Sequence, residues 1–560
     1  MTREGSASKR LSASEQREIE IWIADDPDPG DRAELRSLLD RGDSAELEDR
    51  FAGRLTFGTA GLRGVVAAGP NRMNRAVVRA ATAAVAGWLG GSGSVVVGCD
   101  ARHRSAEFAD EAARVLAGAG ITVHVLPLPC PTPLLAFAVR SLGAASGIMV
   151  TASHNPARDN GYKLYLSDGA QVIPPIDREI EARIGALGPL SAIPVADAGS
   201  PLITRHGDEV ATAYLNAIAV ITNGGTPALN VVYTPMHGVA GSLMLRAISA
   251  AGYPLPAVVA AQAEPDPDFP TVAFPNPEEP GALDLALADA RRLGADLVIA
   301  NDPDGDRLAV ALPGPDGWRA LTGDQLGALL GAAQLRWTVS STALPGDDRL
   351  VATTIVSSTL LSKIAASAGA GYAETLTGFK WIVRAADGKP GTRFVFGYEE
   401  ALGYAVGDVV RDKDGMSAAL AMLRLAGEAK AAGRSVRDLY DDLESAHGVH
   451  LTSQLTLRTS DPEAVMVRLR AQPPTAFSDQ PVISVTDLAD GGDGLPPSDV
   501  LTFRLDGARV VLRPSGTEPK IKCYVEVVEP LADRSLTEAR AAAAARMAPL
   551  HAALTALLSA

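Results

Sequence analysis

GIMVTASHNP, residues 147–156, carries the chain from a short apolar run into a polar loop. The run Gly147–Val150 has no charged residue and is followed by turn-forming residues, which is typical of a strand buried in a parallel sheet. The loop places Ser153 beside His154, and Lys163 follows within loop reach. The stretch therefore predicts a buried strand that delivers a serine, a histidine and an amine to one place.

Outward from this stretch, short apolar runs alternate with helical segments along most of the chain. Val95–Cys99 and Asp296–Ala300 are two further predicted strands that end at polar loops. Between strands, Ser105–Ala119 is predicted as a helix with Ser105 as its N-cap. Such alternation is typical of α/β domains. After about residue 448, strands joined by short turns precede an Ala-rich helix, which predicts an antiparallel sheet with helices.

The length of 560 residues exceeds what one hydrophobic core supports, about 250–300 residues, so several domains are expected. We predict an N-terminal helical extension, three α/β domains with mixed sheets, and a C-terminal α+β domain. The predicted bounds are 1–50 for the extension, 51–204, 205–320 and 321–447 for the α/β domains, and 448–560 for the last domain.

Composition and charge narrow the class of protein. Hydrophobic residues make up 47% and charged residues 21%, which is an ordinary globular balance. The net charge of −15 argues against nucleic acid or an anionic membrane as a partner. No apolar leader and no run of about 18 uncharged apolar residues occurs, so we expect no membrane segment. Three widely spaced cysteines, Cys99, Cys130 and Cys523, are expected to be reduced core thiols of a cytoplasmic protein.

Three carboxylates follow one predicted strand. Asp302, Asp304 and Asp306 occupy alternate positions directly after Asp296–Ala300. An acidic surface turn is the simple alternative, but carboxylates so close together repel each other unless a cation lies among them. Hard oxygen ligands suit Mg²⁺, and the loop follows a strand end, where ligands bind in such folds. The pattern favours a magnesium site.

Three aspartates leave an octahedral Mg²⁺ short of ligands, and the remaining oxygens usually come from phosphate or water. The chain has no GxxxxGK[ST] phosphate loop, so the phosphate could be carried by Ser153. An ordinary turn before Pro156 is the alternative. A phosphoserine beside three aspartates needs cations, and His154, Lys163, Arg307 and Arg63 are candidates.

Two later loops offer groups for a phosphorylated sugar. The sequence RPSGTEPK begins at Arg513, which can fork onto a phosphate, and continues with two hydroxyl side chains around a glycine. The sequence GYEEALG begins at Gly397 and holds adjacent carboxylates that suit sugar hydroxyls. Each loop alone also fits a polar or acidic turn.

Together, TASHNP, DPDGDR, GYEEALG and RPSGTEPK resemble, in this order, the α-D-phosphohexomutase superfamily, over about residues 50–530. FGTAGLRG, TPMHG, TLTGFKW and RDKDG are similar to the branch that contains phosphoglucomutase-2-type proteins, phosphopentomutase-like proteins and some bacterial proteins named as phosphomannomutases. The resemblance implies four domains around a central cleft, the last related to TATA-box-binding-protein-like folds.

The resemblance also implies roles for single residues. Ser153 would be the phosphorylated serine and would bind Mg²⁺ through its phosphoryl oxygen, together with the three aspartates. Lys163 would match the general base or acid, a role that is plausible if neighbouring cations lower its pKa. The remaining implied site residues are His154, Arg63 and Arg307 near the phosphoserine, Glu399, Glu400 and Lys380 near the sugar, and Arg513, Ser515, Gly516 and Thr517 at the non-reacting phosphate.

The activity implied is reversible phosphoryl transfer between hexose 1-phosphate and hexose 6-phosphate, with a sugar 1,6-bisphosphate as intermediate and activator. Ala401 stands where several members of the superfamily have Ser, which leaves glucose, mannose and pentose preference open. Alternatives are a phosphopentomutase, a sugar-bisphosphate synthase, a serine-dependent metallophosphatase and a non-catalytic phosphosugar-binding protein. We expect a monomer or homodimer that acts on a small phosphosugar.

Overall fold

The structure is a computed structural model that describes residues 11–56, 61–222, 229–341, 348–492, 494–515 and 520–559. The chain begins with the predicted helical extension. Its helices are α1 (Ala13–Asp25), α2 (Pro29–Arg41) and α3 (Ser44–Arg50). They pack around a small cluster that includes Ile19, Leu35 and Leu47. Arg104 ties the extension to the first domain through ion pairs to Asp28 at 2.6 Å and Asp31 at 2.8 Å.

The first sheet has six strands in the order β1-β5-β4-β2-β3-β6. Strands β4, β2, β3 and β6 run parallel, and β5 pairs antiparallel with both β4 and β1. Every residue of β4 is buried, which explains its uninterrupted apolar run. The elements are β1 (Leu62–Val65), α4 (Arg75–Trp88), β2 (Ser94–Cys99), α5 (Ser105–Gly118), β3 (Thr122–Val125), α6 (Thr132–Ser141), β4 (Ser146–Val150), β5 (Asp159–Leu166), α7 (Ile176–Gly185) and β6 (Ile203–Arg205).

The second sheet has the order β11-β10-β9-β7-β8, with β9, β7 and β8 parallel and β10 and β11 antiparallel. Its central strand β9 is buried throughout and ends directly before the aspartate loop. The elements are α8 (Glu209–Ala219), β7 (Val231–Thr234), α9 (Gly241–Ala250), β8 (Ala257–Val258), α10 (Asp284–Leu293), β9 (Leu297–Ala300), β10 (Ala309–Leu312) and β11 (Arg319–Ala320).

The third sheet has the order β13-β12-β14-β15, and β14 and β15 form an antiparallel hairpin. This hairpin carries the GYEEALG sequence, and β14 ends within it at Glu399. The elements are α11 (Gly323–Ser341), β12 (Arg349–Thr354), α12 (Leu360–Ser367), β13 (Gly371–Thr375), α13 (Phe379–Ile382), β14 (Arg393–Glu399), β15 (Gly403–Val406), α14 (Gly415–Ala431) and α15 (Val436–His447).

The C-terminal part forms a five-stranded antiparallel sheet in the order β16-β22-β21-β20-β19. Helix α17 packs on β16 and β22 and buries Ala539, Ala543 and Leu550 in the core of this domain. The elements are β16 (Val449–Arg458), α16 (Pro462–Ala471), β17 (Ala476–Phe477), β18 (Gln480–Pro481), β19 (Ser484–Asp487), β20 (Leu501–Leu505), β21 (Ala508–Pro514), β22 (Lys520–Glu529) and α17 (Leu536–Ser559).

Helix α17 also concerns the expectation of no membrane segment. By length and composition alone, the 23-residue segment Leu536–Leu558 is long and apolar enough to cross a membrane. In this structure the helix lies along the antiparallel sheet, where one of its faces supplies core residues.

The predicted fold class of three α/β domains with mixed sheets and a C-terminal α+β domain is confirmed. The residue bounds of the domains stay a prediction. All three cysteines are buried and without disulfide partners, as expected.

Candidate active site

The aspartate loop lies at the carboxyl end of β9, and all three of its carboxylates are fully buried. The loop turns at Gly305, which has a φ of 72°. A side chain there would also be obstructed, because a Cβ would lie 2.8 Å from the Cβ of Ala240. Both conditions require glycine. The turn directs Asp302, Asp304 and Asp306 to one point, where a carboxylate oxygen of each lies within 4.8 Å of the others.

The charges of the aspartate loop are only partly compensated by the protein. Burial and the neighbouring charges of Asp306 and Asp304 raise the pKa of Asp302 well above its ordinary value. The Oδ1 atoms of Asp304 and Asp306 are buried and have no hydrogen-bond partner among the residues that the structure describes. A buried acceptor without a partner costs about 1–3 kcal/mol. This donor set of closely spaced, unsatisfied carboxylate oxygens therefore fits a hard divalent cation.

Ser153 lies against the aspartate loop. Its hydroxyl donates to Asp302 Oδ2 at 2.9 Å and lies 3.2 Å from His154 Nδ1. The backbone of Ser153 has a φ of 54°, a left-handed conformation that is uncommon for a residue with a side chain. The side chain of Thr151 supports this turn by accepting from the Ser153 N–H at 2.9 Å. The structure therefore brings the predicted serine and the predicted metal ligands together.

Arg102, in the loop between β2 and α5, binds the backbone of the serine loop. The sequence analysis did not identify it as a site residue. Its buried guanidinium donates to the backbone carbonyls of Ser153 and Asn155 at 2.6 Å, Pro156 at 2.8 Å and Asp159 at 3.1 Å. Four carbonyl acceptors on one fork fix the path of the loop.

Asp100, at the end of β2, anchors this arrangement from the other side. Its carboxylate lies 3.3 Å from Arg102 Nε and accepts from Thr151 Oγ1 and Ser105 Oγ, both at 2.6 Å. The predicted N-cap role of Ser105 is therefore wrong. The N-cap position of α5 is Arg104, and the Ser105 hydroxyl is used to bind Asp100 instead.

Lys163 lies between two of the aspartates. Its Nζ donates to Asp304 Oδ2 at 2.7 Å and to Asp306 Oδ2 at 3.2 Å. Burial alone would lower the pKa of Lys163, but these two carboxylates outweigh burial and raise it. The expectation that neighbouring cations lower this pKa is therefore wrong, because anions are its nearest charges. Lys163 is protonated in this arrangement.

The other predicted cations surround the serine. Arg63 pairs through its strand with Gly161 and donates to Asn155 Oδ1 at 3.3 Å. The Arg307 N–H donates to Asp302 Oδ1 at 3.0 Å, and its guanidinium lies 3.4 Å from Glu278. The Nε donors of both arginines are buried, and within the described part of the chain neither has a hydrogen-bond partner.

His154 is neutral in this environment. Burial lowers its pKa well below the ordinary value, and the charges of Arg307 and Arg63 lower it further. The cationic surroundings therefore suit an anion at Ser153, while His154 contributes a hydrogen bond and not a charge.

Lys413 is a further cation at the site that sequence reasoning missed as a site residue. Its Nζ lies 3.3 Å from Asp306 Oδ2 and 3.4 Å from Asp412 Oδ1. Asp306 has a lowered pKa, because Lys413 and Lys163 outweigh the effect of its burial. The RDKDG sequence contained this residue, but nothing in its spacing indicated that it reaches a loop more than a hundred residues earlier.

The sugar loop predicted from GYEEALG adjoins the metal loop. Arg307 forms a β-bridge with Gly403, and the Leu308 N–H donates to the Leu402 carbonyl at 3.1 Å. A side chain at Gly403 would displace Lys413, because a Cβ there would lie 2.4 Å from Lys413 Cδ. This contact places the hairpin beside the predicted cations.

The two adjacent carboxylates of this hairpin have different surroundings. Glu399 lies where the charges of Lys413 and Arg307 partly offset the burial that raises its pKa. Glu400 accepts from Ser357 Oγ at 3.1 Å and Thr354 Oγ1 at 3.3 Å. Burial and the charge of Glu399 raise the pKa of Glu400 to about 7. Glu399 thus lies near the cations of the site, whereas Glu400 is hydrogen-bonded within the third domain.

Glu400 also lines a cavity of about 320 Å³ between the second, third and fourth domains. Polar residues on its wall include Thr322, Asp324 and Gln454. The cavity gives room for a small polar molecule on this side of the hairpin.

The remaining predicted site residues that the structure describes lie on α13 and in the hairpin that begins with β21. Lys380 is buried on α13, and the charges that act on its lowered pKa, after burial, are Asp177 and Arg384, neither of which belongs to the aspartate loop. Arg513 lies near the end of β21. The Ser515 N–H donates to the Lys520 carbonyl at 2.9 Å across the hairpin. Gly516 and Thr517 lie outside the described residues.

With the geometry established, comparison with known proteins identifies the family. Residues 54–188, 212–314, 322–446 and 464–543 match, in order, domains I, II, III and the C-terminal domain of the phosphoglucomutase/phosphomannomutase family. The chain belongs to this family. It is therefore a phosphomutase, an isomerase that acts on sugar phosphates, and a member of the α-D-phosphohexomutase superfamily.

Relatives of the phosphomutase carry several substrate names. A Haemophilus influenzae protein named "Probable phosphomannomutase" is 41% identical over 81% of this chain and 93% of its own. A Schizosaccharomyces pombe protein named "Probable phosphoribomutase" is 35% identical over 90% of this chain and 92% of its own. The crystal structure of a "putative phosphomannomutase" from Thermus thermophilus superposes with a TM-score of 0.65 at 26% identity, over 87% of this chain and 98% of that protein.

Proposed function

We propose that this phosphomutase interconverts hexose 1-phosphate and hexose 6-phosphate, with glucose or mannose as the sugar, through a phosphorylated Ser153. The observation that carries the proposal is the pairing of unsatisfied groups around this serine. Buried acceptors on Asp304 and Asp306 and buried donors on Arg63 and Arg307 have no partner within the described residues. A cation and a phosphoryl group together would satisfy both kinds.

Asp302, Asp304 and Asp306 would hold Mg²⁺ together with a phosphoryl oxygen on Ser153. When bound, the ion supplies stabilisation of the negative charge on the transferring group. The protein adds the guanidinium groups of Arg63 and Arg307, which suit phosphate oxygens because they present planar, permanently charged donors. Charge stabilisation and positioning are the main requirements of phosphoryl transfer.

In the first half of the reaction, a free hydroxyl of the sugar monophosphate attacks the phosphorus on Ser153. The bond between phosphorus and Ser153 Oγ breaks, and the product is a sugar 1,6-bisphosphate. The hydroxyl loses one proton and Ser153 Oγ gains one, so no net proton is released. Lys163 holds a proton next to the site, and we assign it to give this proton to Ser153 Oγ as the bond to phosphorus breaks. The neutral amine then takes the proton that the attacking hydroxyl loses, so Lys163 ends the step protonated, and the reverse reaction uses the same two transfers.

In the second half, the bisphosphate turns end for end and returns its other phosphate to Ser153. The sugar must remain bound at both ends while it turns. Glu399 supplies a carboxylate for sugar hydroxyls, with Glu400 behind it and Lys380 as a further cation in the cleft, and the loop at Arg513 and Ser515 binds the phosphate that is not reacting. A grip at both ends distinguishes a mutase from a phosphatase, which would release free phosphate.

Two substitutions test this division of labour. Ser153→Ala should abolish turnover, because the phosphate carrier is lost, whereas Arg513→Ala should chiefly raise KM. The control is Ser92→Ala, at an exposed serine of the same domain that donates only to the Leu89 carbonyl. Full activity of Ser153→Ala would contradict the mechanism.

A pentose 1-phosphate is the second candidate substrate, and sugar-bisphosphate synthesis is a related one. The pentose is favoured by the Schizosaccharomyces pombe relative, whose name specifies ribose, while Ala401 in the sugar loop leaves the preference open. Rates on glucose 1-phosphate, mannose 1-phosphate and deoxyribose 1-phosphate, each with catalytic bisphosphate, separate the candidates. A highest kcat/KM on deoxyribose 1-phosphate would replace the hexose in the proposal.

We propose further that the enzyme works in the cytoplasm as a monomer or homodimer and has small phosphosugars, not nucleic acid or membranes, as partners. The buried thiols and the net charge of −15 support this view. Cell fractionation and the sedimentation coefficient of the purified protein test it.

A further inference from the structure

The strands that flank the phosphate-binding loop carry a buried ion pair. Arg509 on β21 and Glu526 on β22 are opposite each other in the register of the sheet. Arg509 comes four residues before Arg513, and Glu526 comes four residues after Lys522, the residue opposite Arg513. Arg509 NH2 donates to Glu526 Oε2 at 3.1 Å. Residues four apart on a strand point to the same face, so the pair and Arg513 lie on one side of the sheet.

This pair is bound to the third domain. Arg509 donates to the Ile355 carbonyl at 3.1 Å and also to the Ser357 carbonyl. In return, Glu526 Oε1 accepts from Ser358 Oγ at 2.8 Å and from the Thr359 N–H at 2.7 Å. The segment 355–359 directly follows β12, so the fourth domain is attached at the base of its phosphate loop to the third sheet.

The ion pair between Arg509 and Glu526 is buried, and a histidine supports it. Both side chains are less than a tenth exposed, and His450 on β16 lies 3.1 Å from Glu526 Oε1. Burial alone would raise the pKa of Glu526, but the hydrogen bond from His450 and the charge of Arg509 lower it to about 2. Glu526 is therefore ionised at neutral pH, and removal of either partner would leave a buried charge unpaired.

The same segment of the third domain also contacts the sugar loop. Ser357 Oγ donates to Glu400. The Ser358 N–H and the Tyr398 hydroxyl both donate to Asp324 Oδ1, at 2.7 Å and 3.0 Å. Tyr398 and Glu400 belong to the sugar hairpin. A short chain of hydrogen bonds thus connects the strands of the phosphate loop to the loop that faces the sugar.

We propose that Arg509 and Glu526 are positioning residues that fix the phosphate-binding loop at Arg513 relative to the sugar loop of the third domain. Four strand residues span about 13 Å. A rotation of about 5° at the pair would move Arg513 by about 1 Å, which is enough to take a hydrogen bond to a phosphate oxygen out of its normal range of distance. The role rests on the proposed function, in which Arg513 binds the non-reacting phosphate.

The test compares Glu526→Gln with Arg546→Gln. The control removes an ion pair to Glu529 on the same strand, at a position that faces α17 and not the third domain. For whichever sugar phosphate the wild type turns over best, Glu526→Gln should raise KM about tenfold, as expected from one lost charge-assisted hydrogen bond, and change kcat less than threefold. The control should leave both unchanged.

A double-mutant cycle separates positioning from general destabilisation. If Glu526 acts through Arg513, Glu526→Gln should add little to the KM of Arg513→Ala, whereas independent effects would multiply. Multiplying effects, or an unchanged KM in Glu526→Gln, would overturn the proposal. Should Glu526→Gln fold poorly, Ser358→Ala removes one donor across the same contact and is held to the same criteria.

Hydrogen exchange gives a readout that needs no substrate. Amides of residues 355–359 and 509–513 should exchange at least about tenfold faster in Glu526→Gln than in wild type or Arg546→Gln. If the wild type turns over no sugar phosphate, the proposed function fails, while faster exchange would still support the contact. Unchanged exchange in both segments would overturn the attachment itself.

Discussion

Arg102→Lys is the substitution that most directly probes how the protein positions Ser153. Arg102 donates to four backbone carbonyls of the serine loop, and its guanidinium fork reaches all of them at 2.6–3.1 Å. Lysine keeps the charge but offers its donors from one point, so it can serve about two of the four carbonyls.

The expected loss follows from this count. Each buried carbonyl left without a donor costs about 1–3 kcal/mol, so two cost about 2–6 kcal/mol if the loop stays in place. The loop relieves part of that cost by moving, and Ser153, which is held at a φ of 54°, moves with it. A displacement of about 1 Å at a reacting group corresponds to a loss of about a hundredfold.

The assay measures kcat, KM and the rate at which a sugar bisphosphate phosphorylates Ser153. Arg102→Lys should lower kcat and the phosphorylation rate together by about a hundredfold and leave KM within about threefold, because the grip on the distal phosphate is untouched. Arg140→Lys is the control, since that arginine of the same domain forms an exposed ion pair with Asp408 of the third domain, away from the serine loop. A kcat within twofold of wild type for Arg102→Lys would refute the reasoning.

Three further predictions concern the carboxylates and their cations. Because the folded state raises the pKa of Glu400 from 4.5 to about 7, its contribution to stability is present below about pH 4.5 and lost as the pH rises through about 7, so Glu400→Gln should gain up to about 3 kcal/mol over wild type in urea unfolding between about pH 5 and 8; a constant difference would contradict this. Removal of divalent cations with EDTA should abolish activity, and restored Mg²⁺ at about a hundred times its Kd should stabilise the fold by about 2.7 kcal/mol, seen as a higher melting temperature; Asp304→Asn should lose most of that shift. Lys413→Met should lower kcat at least about tenfold, because it removes a cation 3.3 Å from Asp306, whereas Lys430→Met, at a surface ion pair, should not.

The sequence predicts those parts of the site that lie within one loop. An apolar run followed by polar residues marks a buried strand and the loop at its carboxyl end, which is how Ser153 and Asp302 could be found. Motif order added the sugar and phosphate loops.

Contacts between distant segments could not be predicted in this way. Arg102 and Lys413 reach the site from other loops, and an isolated arginine or lysine has no periodic pattern that shows where its long side chain ends. The pKa of Lys163 was misjudged for the same reason. The sequence shows several basic residues that could lie near Lys163. Its direct partners are Asp304 and Asp306, and Lys163 meets them only because the first domain packs against the second.

The most direct test of the central claim is the location of the phosphoryl group during turnover. After incubation with glucose 1,6-bisphosphate, mass spectrometry of the peptide that contains Ser153 should show one phosphoryl group on that serine, and excess glucose 6-phosphate should remove it. Sustained turnover while Ser153 stays unphosphorylated, or a phosphoryl group found on another residue instead, would contradict the account.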